Sequence, residues 1–146
     1  MPTPAKFLCA FLFAGIGFAT VWLAARTVPP EIKLDGLNLV AAGMGLTLGW
    51  KFVGSRVGEG LRPAMAAGLT AGILLPTFIL AFWAWRMMLI RSLGSVYADP
   101  LEAVNAAISL AVEHAPLAFS PALVATVLGG GVLAGLLANR LDRAWG

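Results

Sequence analysis

Long runs without charge alternate along the chain with short clusters of charged and helix-breaking residues. Positions 7–25 form one unbroken apolar run, 63–85 a second and 115–139 a third. At ~1.5 Å of rise per residue, a run of about 20 residues crosses the hydrocarbon layer of a bilayer. A further run, 36–50, is shorter and rich in glycine. It reaches spanning length if Lys51 snorkels and the helix continues to Val53. The pattern predicts an all-α integral membrane protein in a single domain, 1–146, with four transmembrane helices at about 7–25, 37–53, 64–86 and 121–140. A re-entrant or tilted segment is the alternative for 37–53.

The third connection predicts one more helix. Asp99-Pro100-Leu101-Glu102 offers an N-cap side chain, a proline at the first helical position and a carboxylate two residues on. Leu101, Val104, Ile108, Ala111 and Ala115 then recur at helical spacing, with Glu102, Asn105, Ser109 and Glu113 on another face. This is an amphipathic helix over about 100–115, at the interface or packed on the bundle. Pro116 is expected to end it, because proline disfavours helical geometry in the residue before it. Ser120-Pro121 repeats the cap-and-proline signal and starts the last span, expected to run to about Arg140 with an exposed tail.

Composition supports lipid as part of the solvent. The chain has 146 residues, 60% hydrophobic and 12% charged, whereas soluble domains carry about 25% charged residues. So short a soluble fold could not hide this much apolar surface. The net charge of +3 does not indicate nucleic acid, since the cations punctuate apolar runs instead of clustering on one patch. Lys6 and Leu23-Ala24-Ala25 resemble parts of a secretory signal, but the run is longer than a normal signal core, so an uncleaved signal anchor is expected.

With four spans, both termini and the second loop share a side. That side holds six cations, Lys6, Lys51, Arg56, Arg62, Arg140 and Arg143, against four on the other, Arg26, Lys33, Arg86 and Arg91. The positive-inside rule therefore predicts cytoplasmic termini. Trp22, Trp50, Trp83, Trp85 and Trp145 all fall near predicted span ends, where indole prefers the headgroup layer.

No catalytic, cofactor-binding or metal-ligating residue is predicted. His114 is the only histidine and has Glu113 as its sole neighbouring donor, too few for a metal. Met87-Met88 reads as packing, and Cys9, inside an apolar helix, as inert. A small proton-coupled exporter needs a carboxylate within its first helix, and this one has none. Pro76, midway along the third span, should kink it, with Thr77 or Thr70 free to satisfy a carbonyl.

Glycines four apart, Gly45 with Gly49, Gly68 with Gly72 and Gly131 with Gly135, predict close helix packing, since lipid supplies little hydrophobic force between helices. The plain reading is contact within one bundle. The sharper one joins the face at 129–135 to a second copy or another membrane protein. The loop cations Lys51, Arg56 and Arg62 predict contact with anionic lipid headgroups, about 1 kcal/mol each. The loop is not a phosphate-binding P-loop, because the GxxxxGK[ST] order is missing.

Several segments carry a family likeness: Met1-Pro2-Thr3-Pro4-Ala5-Lys6; Asn38 onward through Gly49-Trp50-Lys51 to Gly60; Tyr97-Ala98-Asp99-Pro100; and Gly130-Gly131-Val132-Leu133-Ala134-Gly135-Leu136-Leu137-Ala138. In these the chain resembles the TrgA-type tellurium resistance membrane proteins of alphaproteobacteria, with Lys51 where arginine is expected. The resemblance implies a bacterial inner-membrane protein linked to tellurite tolerance, with no catalytic residues to carry over. Two rival expectations are an accessory or assembly subunit of a larger membrane complex and a small transporter or channel.

Overall fold

The apolar runs 7–25 and 63–85 each lie inside a helix that outlasts them, whereas 115–139 is split between two helices by a break at Phe119 and Ser120. The computed structural model describes residues 4–94 and 97–145; these are 84% helical, without strands. Helix α1 is Pro4–Thr27, α2 Leu37–Leu48, α3 Leu61–Leu93, α4 Pro100–Ala118 and α5 Pro121–Trp145. Helix α2 continues as a π-helical turn, Gly49–Val53. The residues Met1-Pro2-Thr3 of the family likeness lie outside the described part. Three helices, α1, α3 and α5, are long and apolar enough to cross a membrane. Charged residues such as Lys6, Arg26 and Arg91 sit within helices, because backbone hydrogen bonding continues where the hydrocarbon stops. The helix carrying the last span likewise runs on to Trp145, and not only to Arg140.

Two antiparallel helix pairs are sealed by glycine. A side chain at Gly17 would strike the carbonyl of Ala41, one at Gly45 that of Phe13 and one at Gly49 that of Cys9, so α1 and α2 meet backbone to backbone. Helices α3 and α5 do the same. Gly68 and Gly131 face each other's carbonyls, and Gly135 lies on that of Ala64. Gly72 stands slightly farther off, 3.1 Å from the Val127 carbonyl oxygen for an added Cβ. Such approach brings Cα–H groups onto carbonyl oxygens and maximises dispersion contact, main sources of helix association in lipid. Phe13, Val21, Leu75, Leu123 and Val127 fill the centre between the pairs.

Helix α3 has 33 residues, about 50 Å, well beyond the ~30 Å of hydrocarbon. The register of Gly68 with Gly131 and Gly72 with Val127 carries Pro121 to the level of Phe78. Helix α5 therefore covers only the first half of α3. Helix α4 follows α3 beyond that level, with the His114 ring stacked on Trp83, and forms a helical hairpin with the end of α3.

Details of α4 depart from expectation. Pro116 lies inside the helix, which ends at Ala118. Proline's own φ fits a helix and forfeits one bond to the carbonyl four residues back; the break falls at Phe119 and Ser120, before Pro121. Asp99 is the N-cap, but its side chain makes no capping bond. Glu102 Oε2 instead accepts from the Ala98 N–H at 3.0 Å. The packed face is Ala103 and Leu110, while Leu101 is 72% and Ile108 57% exposed. Small side chains let α4 approach α3, so the larger aliphatic stripe is turned outward. Along α3, Thr77 and Thr70 donate to the carbonyls of Ile73 and Ala66, and neither reaches Gly72, the carbonyl that Pro76 leaves without its usual donor.

Replacing Gly45 or Gly131 by alanine should lower stability by about 1–3 kcal/mol through overpacking. At Gly43 or Gly129 an added Cβ meets nothing within 4 Å, and alanine should stabilise by about 0.5–1 kcal/mol. Reversible unfolding in mixed micelles would measure all four; equal shifts would refute the glycine seal.

Candidate functional site

The residues singled out by sequence fall at two places. Gly45, Gly49, Gly68, Gly72, Gly131 and Gly135 are buried between helices of this chain. Within 129–135, Gly129 alone of the glycines has open space, while Gly130 touches Ile16. Lys51, Arg56 and Arg62 are exposed at the end of the bundle where α1 begins and α5 finishes. Gly49 against Cys9, and Gly58 beside Asp142, fix that shared end.

Aromatic rings order this basic end. The π turn closes with Gly54 N–H donating to Gly49 O at 2.8 Å, one residue wider than a helical turn. Trp50 meets Phe7 edge to face, with ring centroids 4.7 Å apart. The Arg56 guanidinium lies 5.3 Å from the centre of the Phe52 ring. A rim of exposed cations beside aromatic rings suits anionic surfaces.

The opposite end holds the feature that sequence reasoning did not find. A half-open cavity of about 70 Å³ lies among the end of α1, the loop to α2, the middle of α3 and the α4–α5 junction. Val21, Leu37, Pro76, Ile79, Leu117 and Leu123 are among its apolar walls. Three polar side chains join them: Thr20, Trp83 and His114. Thr20 Oγ1 donates to Ile16 O at 2.7 Å. His114 Nδ1 lies 2.9 Å from Leu110 O and serves as the donor there, because a carbonyl only accepts. Trp83 is 5% exposed, and its buried Nε1–H has no partner. Just outside, Arg86 Nη1 donates to Asp35 O at 2.6 Å and ties the α1–α2 loop to α3.

Trp83 is therefore a core residue and not a headgroup anchor. Trp22, half-exposed with the Arg26 guanidinium 3.7 Å above its ring, and Trp85, half-exposed, remain on the outside. A signal for this was present. Trp83 and Trp85 are two residues apart, so a helix points them to nearly opposite sides, and one must face inward. Ala103, Leu110 and His114 likewise share one face of α4.

The polar groups among the lining residues are one hydroxyl, directed to Ile16 O, one indole and one imidazole. Among the described residues no group of three or more His, Cys, Asp or Glu side chains could hold a metal ion. Fold and cavity thus define a class, a helical bundle whose long helices fit a membrane, with an apolar pocket at one end. No family model, curated protein or solved structure matches the chain.

Cys9 is fully buried against α2. A maleimide should leave it unlabelled in the folded protein and modify it once SDS opens the bundle; rapid labelling in mild detergent would contradict this packing.

Proposed function

We propose that the chain is a four-span protein of the bacterial inner membrane, with cytoplasmic termini, that supports tellurite tolerance without catalysing a reaction. The TrgA likeness in its loops and glycine segments supports the link to tellurite. The excess of cations at the end holding both termini and the second loop supports the orientation. The second span is the run 37–53, about 25 Å of helix, with Lys51 and the tryptophan beside it at the cytoplasmic face. Lys51, Arg56 and Arg62 there contact anionic headgroups.

The observation that carries a non-catalytic, non-transporting role is the interior. Its buried polar residues, among those described, are Thr20 and Asn139, too few to line a path for a charged oxyanion. Thr47, Thr70, Thr77 and Thr126 donate to carbonyls of their own helices. Tolerance then arises indirectly, through the bilayer or a membrane complex. An accessory-subunit role has its own support in the outer hairpin, whose Leu89, Ile90, Leu93, Leu101, Val104 and Ile108 are exposed.

Deleting the gene should increase tellurite sensitivity, and the intact chain should restore tolerance, with respiratory growth scored in parallel. Unchanged tolerance would remove the functional assignment. In a Cys9→Ala background, Ser55→Cys should be labelled by an impermeant maleimide only from the cytoplasmic side and Lys33→Cys only from the other; the reverse pattern would invert the topology.

A further inference from the structure

Helices α1 and α2 differ in length, and their contacts fix where the difference falls. Gly17 on Ala41, Gly45 on Phe13 and Gly49 on Cys9 set an antiparallel register. It puts Leu37, the first residue of α2, level with Val21. At the inner end the two helices agree, since the Trp50 and Phe7 rings touch. From that shared edge the apolar part of α1 runs ~27 Å to Ala25, but α2 reaches only ~20 Å to Leu37. The outer end of α2 therefore stops ~7 Å short, beside an α1 that is still apolar. A half-open cavity of about 430 Å³ occupies the shortfall, with Ala25, Lys33, Asp35, Gly36 and Asn38 among its lining residues. Leu39, one residue further along α2, is largely exposed.

We propose that this flank holds the outer leaflet thin, drawing its headgroups ~7 Å inward, and that the lipid it fits is a short-chain phospholipid. The inference rests on the reading of 37–53 as the second span. Gly36, the N-cap of α2, gives no side-chain bond to the first turn. The leading N–H groups must therefore meet water, which hydrocarbon does not supply. Lys33 and Asp35, just before it, are charged and exposed, and immersing them in acyl chains is costly. Tilting the bundle gives no relief, because α1 and α2 are locked antiparallel and a tilt shortens both projections alike. Lys51 can snorkel, but only at the other end. A span shorter than its bilayer is then accommodated by thinning the lipid beside it.

The test places a nitroxide on the full-length chain, in a Cys9→Ala background, at Leu39→Cys or Phe18→Cys. Both positions are exposed, and the register puts them at nearly one level of α2 and α1. Leu46→Cys and Phe11→Cys form a matching exposed pair nearer the inner edge. In dierucoylphosphatidylcholine vesicles, power-saturation EPR should give a nickel-to-oxygen collision ratio several-fold higher at 39 than at 18, with 46 and 11 alike. In dimyristoleoylphosphatidylcholine the gap between 39 and 18 should shrink, because that bilayer is already thin. Equal ratios at 39 and 18 in both lipids overturn the proposal, as does an equally large gap between 46 and 11. A label at 39 shielded from both reagents also overturns it and places a second chain there. Maleimide labelling of Ser55→Cys and Lys33→Cys separates the two readings. Labelling from opposite sides with equal ratios removes the thinning alone, and labelling from one side removes the second span with it.

Discussion

Backbone-to-backbone contact at glycine is the interaction on which the rest of this bundle depends. In lipid, burying another leucine gains little, because the acyl chains it leaves are as apolar as the partner it meets. Association must come from closeness, and closeness requires the absence of a Cβ. The chain supplies this at Gly17, Gly45 and Gly49 for one pair and at Gly68, Gly131 and Gly135 for the other. Each pair is held along about two turns or more, which fixes register as well as distance. Once both registers are set, the ends of the helices have nowhere else to go. The second loop, the start of α1 and the end of α5 converge, and their cations with them.

The same registers produce the asymmetry between the two ends. Because α5 begins level with the middle of α3, the far half of α3 would stand uncovered. Helix α4 covers it, through a different kind of contact: alanines and Leu110 against α3, and an imidazole against an indole. Side chains of unequal size meeting at a helix break do not fill space as glycine against carbonyl does. The cavity is a geometric consequence of joining a glycine-sealed bundle to a side-chain-packed hairpin at Phe119 and Ser120.

Much of this was legible in the residues, and the failures have identifiable causes. Uncharged runs located the helices, since a bilayer excludes charge over a fixed thickness. They did not locate helix ends, because helices such as α3 persist into the aqueous layer. Glycine spacing pointed to the packed faces, but Gly17 was missed because its only glycine neighbour, Gly15, lies two residues away. Periodicity found α4 but left open which of its faces packs. It ranks residues by hydrophobicity, while α4 packs by size, with Ala103 in and Ile108 out. Pro116 misled because proline's own φ is helical, so the helix forfeits one bond to the carbonyl of Val112 and still runs on to Ala118. The pocket was the least legible feature, since its walls come from five separate stretches of chain and only register brings them together.

The two ends consequently differ in what they can do. At the basic end, movement of α2 relative to α1 would drive Gly49 or Gly45 into a carbonyl, so that end can present charge but has little freedom to rearrange. At the other end, α4 rests on α3 through side chains beside a void, and its connection to α5 is a two-residue break. Side-chain contacts tolerate sliding that backbone contacts do not. The void is bounded by α1, α3 and the α4–α5 junction together, so its size depends on where α4 sits. The exposed aliphatic stripe of Leu101, Val104 and Ile108 lies on that same helix, facing away. The interior void and the exterior stripe thereby meet on one helix, so a shift of α4 along α3 would change both.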